Sequence, residues 1–179
     1  RPDTLKADII RFQNNREKWV AFIGLRQDDG TPYEIFTGID DTEILPVPKS
    51  VTTGLIIKKR DEEGRKRYDF QYQNKHGYNV TVEGLSHRFN PEFWNYAKLI
   101  SGVLRHGMPL PFVVHMVSNL HLRDNALNTW KNGVVRSLKK FIQDGEKPVE
   151  NKCPGCGENT LIYQEGCLTC KSCGHSKCG

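Results

Sequence analysis

Residues 17–39 read EKWVAFIGLRQDDGTPYEIFTGI. Over 17–25 the side chains alternate along an extended chain. Trp19, Ala21, Ile23 and Leu25 fall on one face, Val20 and Phe22 on the other. Both faces are apolar, so this strand is expected to be central, with material packed on each side. QDDGTP at 27–32 is a turn in which Gly30 is free to take positive φ. YEIFTGI at 33–39 then runs back, and the two strands form a hairpin.

Working outward, ADIIRF (7–12) is an expected partner at one side of the hairpin. EILPVPKS (43–50) holds two prolines and reads as a loop or an edge. TTGLIIKKR (52–60) and KRYDFQYQ (66–73) flank DEEG as a second hairpin, and GYNVTVEG (77–84) adds a short strand. The tip of the second hairpin lies in KKRDEEGRKR (58–67), six basic residues interrupted by three acids. It reads as a solvated tip, with contact to a nucleotide phosphate or nucleic acid as the sharper alternative.

At FNPEFW (89–94) the period changes. Asn90 is placed to cap a helix and Pro91 suits its first position. Phe93, Ala97, Ile100 and Leu104 then recur on one helical face, and Gly107 ends it. Pro109 restarts a second helix with Leu110, Val113, Val114 and Val117 on one face. Asp124 caps a third, carrying Leu127, Trp130, Val134, Leu138 and Phe141. Strands first and helices after predict an α+β fold, an antiparallel sheet with about three helices packed on it.

The chain has 179 residues and a formal net charge of +5. Hydrophobic residues make up 37% and charged residues 26%, a globular balance. No apolar run approaches the roughly 18–20 residues of a membrane span, so no membrane partner is expected. RPDTLKADII at the start lacks a basic segment followed by an apolar block, which points to the cytoplasm. The chain begins with Arg rather than Met and reads as a fragment or a processed piece. QDGEKPVENK (143–152) is polar, with Gly and Pro, and is expected to be a flexible linker. Its span as a flexible chain is roughly 17 Å, and about 35 Å at full stretch. The organisation is therefore an α+β domain at 1–142, the linker at 143–152 and a cysteine-rich module at 153–179.

All six cysteines lie in that last module. Disulfide frameworks spread cysteines over the fold they staple, so clustering favours a metal. CPGCG (153–157) and CKSCG (170–174) are matching knuckles, 13 residues apart between Cys156 and Cys170. Two thiolates at i and i+3 can share one ion, and the glycine after each pair allows a tight turn. Cys153, Cys156, Cys170 and Cys173 would close a tetrahedral Zn²⁺ ribbon. Such a small module has little core of its own and needs a staple.

A second division is open. Cys153, Cys156, Cys167 and Cys170 also form two CxxC units, which leaves Cys173 with Cys178. In the first division the remaining pair is Cys167 and Cys178. In both, two thiols are left over beside His175 and Lys177, whose positive charge favours thiolate. Two such thiols can reduce a disulfide elsewhere by exchange.

The tail CPGCG…GCLTCKSCGHSKCG resembles the cysteine-rich C-terminus of class II, adenosylcobalamin-dependent ribonucleotide reductases. KWVAFIGL, GTPYEIFTG, FWNYAKLISGVLRHGMP and TWKNGVVRSLKKFIQDG are similar to the segment that joins the reductase barrel to that tail. The resemblance implies a zinc-bound tail that relays electrons by thiol–disulfide exchange to an upstream active site. It implies the reductase catalytic domain as a partner, in the same chain or separate, and an outside thiol reductant. Adenosylcobalamin is implied for the full enzyme and not for this chain. His87 and His106 read as helix-terminal or surface residues rather than catalytic ones.

Two other functions compete. One is a nucleic-acid-binding zinc ribbon. Residues 151–179 hold Lys152, Lys171 and Lys177 against Glu158 and Glu165, formally +1. Four thiolates on Zn²⁺ add −2, leaving the ribbon near −1, which suits phosphate contact poorly. The other is an assembly module with no chemistry.

Overall fold

The structure is a computed structural model that describes residues 1–14, 17–122 and 125–178. The chain divides into two compact units, Arg1–Arg105 and His106–Gly179.

The first unit is a six-stranded antiparallel sheet with two helices. Its strands are β1 (Thr4–Asn14), β2 (Glu17–Leu25), β3 (Pro32–Ile39), β4 (Thr53–Arg60), β5 (Lys66–Gln73) and β6 (Asn79–Val82). They lie in the order β3-β2-β1-β4-β5-β6. The β2–β3 hairpin closes through Gly30 at φ 72°, a left-handed conformation that glycine adopts without strain. β1 pairs on both sides, with β2 and with β4.

β2 is buried on both faces, as its alternation predicts. Val20 and Phe22 enter one cluster with Ile9, Ile56, Phe70, Leu85 and Phe89. Trp19 meets Phe93 edge-on, with ring centroids 4.7 Å apart. Phe93 belongs to α2 (Pro91–Arg105), whose buried face is Phe93, Ala97, Ile100, Ser101 and Leu104. Asn90 starts this helix, its Oδ1 accepting from the Glu92 amide at 2.9 Å.

α2 also closes the outer edge of β3. The Ser101 hydroxyl accepts from the Ile35 amide at 2.9 Å and donates to the Ile35 carbonyl at 3.1 Å. One side chain thus supplies both bonds that a further strand would have made. Beside it, the fully buried Glu34 carboxylate is paired with Arg1 and Arg105.

A short helix, α1 (Leu85–Arg88), precedes α2 and was not legible as a helix in the sequence. The 43–50 segment is a loop, and it contributes buried Leu45 and Val47 to the sheet cluster.

The second unit holds α3 (Leu110–Ser118), α4 (Asn125–Lys139) and a three-stranded sheet of β7 (Leu161–Gln164), β8 (Cys167–Cys170) and β9 (Ser176–Lys177). α3 and α4 pack on one another. They group with the cysteine-rich tail, whereas the sequence grouped them with the sheet. Val113, Val114 and Val117 of α3 and Trp130, Val134 and Leu138 of α4 are buried. Asp124, expected to cap α4, and the side chain of Leu127 lie outside the described residues. Phe141, assigned to the helical face, falls in a turn beyond the helix, its amide bonding the Leu138 carbonyl at 3.1 Å.

The 143–152 segment, expected as a linker, is tied to β7. The Gly145 amide donates to the Tyr163 carbonyl and the Tyr163 amide to the Glu146 carbonyl, each at 2.8 Å. The Leu161 amide donates to the Asn151 carbonyl at 3.1 Å. Among the described residues, no helix is long and apolar enough to cross a membrane.

Candidate metal centre and thiol pair

The two knuckles have the same backbone. In the first, the Gly157 amide donates to the Cys153 carbonyl at 2.9 Å, and the Cys153 amide donates to the Glu158 carbonyl at 2.8 Å. In the second, the Gly174 amide donates to the Cys170 carbonyl at 3.0 Å, and the Cys170 amide donates to the His175 carbonyl at 2.7 Å. Gly157 and Gly174 both take φ 77°, where a side chain would crowd the backbone. Amides then point at sulfur. Gly155 donates to the Cys153 Sγ at 3.3 Å, and Ser172 and Cys173 donate to the Cys170 Sγ at 3.3 and 3.4 Å.

The hairpin β7–β8 carries one knuckle to the other. Its turn uses Glu165 and Gly166, both at positive φ, and Leu161 pairs with Cys170 across it. The sulfurs of Cys153, Cys156, Cys170 and Cys173 lie within 4.8 Å of one another. Cys153 to Cys173 is 3.6 Å and Cys156 to Cys170 is 3.7 Å. A tetrahedral ZnS₄ centre with Zn–S of about 2.3 Å has S···S edges of about 3.8 Å. The cluster therefore has the size and donor set to hold one metal ion.

Four thiols this close compete for charge. The Thr160 hydroxyl, 3.0 Å from the Cys170 Sγ, is the main cause that brings that thiol down to about 6, helped by the Cys173 amide. At Cys156 the Glu158 backbone pulls down, but burial and the neighbouring cysteines outweigh it and push the thiol up to about 12. Without a metal the group cannot ionise together, whereas a bound cation deprotonates its thiol ligands.

Cys167 and Cys178 are not in this cluster. They form a disulfide, with Cα atoms 4.4 Å apart. The register explains why: β8 pairs β9 with Leu168 opposite Lys177, so Cys167 and Cys178 face one another at the next position. That spacing is typical of directly opposed, non-hydrogen-bonded residues. Cys178 is exposed and Cys167 half-buried. The combination of Cys167 with the first three thiols, leaving Cys173 for Cys178, is not what the structure brings together. At the end of α4, burial and then the Lys177 charge push the Lys139 ammonium down. His87 is exposed at the end of α1, and His106 follows the last residue of α2.

Thr160 escaped the sequence reading, since a single threonine between two knuckles carries no spacing signal. Glu34 with its two arginines escaped it for the same reason.

Residues 5–143 match the family model described as NrdJ homologue C-terminal domain. The chain belongs to that family. NrdJ is the class II, B12-dependent ribonucleotide reductase, so the domain is associated with ribonucleotide reduction, and a catalytic partner domain goes with that association. The match stops before the first cysteine. No curated protein and no solved structure matches the chain.

Proposed function

We propose that the chain is the C-terminal part of a B12-dependent ribonucleotide reductase, and that its tail returns electrons to the catalytic domain. Cys153, Cys156, Cys170 and Cys173 hold one Zn²⁺. With all four positions filled by thiolates the site is closed, so the metal is structural and supplies no open coordination position. Cys167 and Cys178 are the carrier. In the reduced state one of them, as thiolate, attacks a disulfide left in the catalytic domain and forms a mixed disulfide. The other thiolate displaces it. The catalytic pair leaves as two thiols and the tail leaves as the Cys167–Cys178 disulfide, two electrons having moved. An outside thiol reductant, small or protein, reopens that bond. Substrate reduction and adenosylcobalamin belong to the catalytic domain, and the cytoplasm is the reducing compartment that suits the cycle.

The observation that carries this reading is the separation of the six sulfurs into a set of four at tetrahedral spacing and a bonded pair, half-buried at Cys167 and exposed at Cys178. Delivery to a distant site requires the bonds from Gly145, Glu146 and Asn151 to β7 to open, which frees 143–152 as a tether. The test is zinc content and native thiol count on the reduced chain, wild type against Cys167→Ser and Cys178→Ser. The reading expects one zinc and two reactive thiols, with one thiol lost and zinc kept in each variant. Loss of zinc in Cys167→Ser would assign the carrier to Cys173 with Cys178. Turnover of the assembled enzyme with a thiol reductant should fall in both variants; unchanged turnover would leave an assembly module.

A further inference from the structure

The first unit has a cavity of about 240 Å³ walled by β3, β5, α1 and α2. Its apolar surface is Phe36, Tyr68 and Trp94, and its charged residues are Lys66, Lys98 and Arg105. We infer that this cavity binds a nucleoside phosphate, the base against Trp94 and the phosphates among Lys66, Lys98 and Arg105.

The aromatic side is a built platform. Trp94 stacks on Phe36 with centroids 5.0 Å apart and planes 27° apart, and Phe36 meets Tyr68 at 5.0 Å. Phe36 is almost fully buried, so Trp94 is held from behind while it remains half-buried at the cavity. A half-buried indole that lines a cavity on a rigid aromatic support can stack another flat ring.

The charge is one-sided. No carboxylate lines the cavity among the described residues. Glu34 lies close by, but it is fully buried and held by Arg1 and Arg105. Arg1 also sits over the Tyr68 ring, 5.5 Å from its centroid. Lys66 and Lys98 are exposed, and neither is paired with a carboxylate among the described residues. Three cations around an aromatic wall call for a ligand with a planar ring and more than one negative charge. Pockets for drug-sized ligands run from about 300 Å³ upward. This one is smaller, so it takes the ring system and leaves the phosphates at the rim, where the lysines are. Lys66 comes from the basic KKRDEEGRKR stretch, whose phosphate-contact reading is thereby narrowed to one residue beside a ring site.

ATP titration of the full chain, followed by tryptophan fluorescence, tests this. Of the three tryptophans, Trp19 and Trp130 are 1% and 0% exposed, so a quench on stacking reports Trp94. The expectation is saturable quenching with a Kd below ~1 mM. Adenosine should bind at least ~10-fold more weakly, because it lacks the charge-assisted bonds to phosphate. Lys66→Glu/Lys98→Glu should weaken ATP by at least ~10-fold with an unchanged circular dichroism spectrum, since both positions are exposed. Calorimetry on Trp94→Ala should show a comparable loss. Quenching that rises linearly without saturating, or equal ATP affinity in the lysine double variant, would overturn the proposal. So would a single-stranded oligothymidylate that binds and is not displaced by ATP, which would make the surface a nucleic-acid contact.

Discussion

Cys170→Ser is predicted to unfold the cysteine-rich module and leave the six-stranded sheet intact. Cys170 is 2% exposed, and its sulfur is fixed by Thr160, by two amides and by the sulfur of Cys156 at 3.7 Å. The buried cluster of the module is Cys153, Leu161 and Cys170, so two of its three members are thiols of the proposed site. The well-buried apolar side chains of β7 are Leu161 and Tyr163. At about 1.5–3 kcal/mol each they contribute roughly 3–6 kcal/mol. A structural zinc held by thiolates contributes about 10–16 kcal/mol, which in a small metal module is folding free energy. On the zinc reading the metal therefore stabilises the module more than these side chains do, and opening its shell outweighs what they retain. The assay is zinc content after dialysis against a chelator, with amide exchange read separately over Leu161–Cys170 and over β1–β5. The expected result is loss of zinc and at least ~100-fold faster exchange in the hairpin, with unchanged protection in the sheet. Cys167→Ser is the control and should keep both zinc and protection. A Cys170→Ser chain with the parent's protection in β7 and β8 would refute the reasoning, because the hairpin would then be standing on its own core.

Ser101→Ala should destabilise the first unit by about 1–3 kcal/mol, because the edge amide of Ile35 loses its buried acceptor; a thermal melt of the variant measures it. Gly38→Ala would set a Cβ 2.0 Å from the Phe89 ring, and overpacking of this kind costs about 1–3 kcal/mol; denaturant unfolding with an unchanged m-value is the expected signature.

Much of the first unit was legible because single segments carry their own period. The two-faced alternation of 17–25 placed β2 inside the sheet, and Asn90 with the 93–97–100–104 spacing fixed α2 and its buried face. Neighbour relations were not legible. Nothing in ADIIRF says that β1 pairs with β4 as well as β2, since register is a property of two segments at once. The edge closure by Ser101 depends on one hydroxyl 66 residues away from its partner. Phe141 shows the limit of periodicity in the other direction. The spacing from Leu138 continues, but helical bonding has already given way to a three-residue turn. At the tail, the glycine following each pair distinguishes the two ways of dividing the cysteines. Gly157 and Gly174 take the same left-handed turn, while the residue after Cys170 is Lys171, which has no such freedom.

On the relay reading, the division of labour among the six cysteines follows from a constraint. A module of this size needs a cross-link, and a redox carrier must break its own cross-link in every cycle. One disulfide cannot serve both ends, because reduction would unfold the module that presents it. Four thiolates on a metal without redox chemistry remove the conflict, since the fold then survives in both oxidation states. The β8–β9 ladder supplies the rest. With Leu168 and Thr169 paired to Lys177 and Ser176, the ladder sets positions 167 and 178 opposite one another, and the reading expects it to do so in the reduced chain as well. Reduction therefore leaves two thiols already in place to close again. The consequence is measurable: zinc-loaded Cys167→Ser and wild-type chains should have the same hairpin protection under reducing conditions, and a hairpin that loses protection when the wild-type disulfide is reduced would show that the bond, and not the metal, holds the tail.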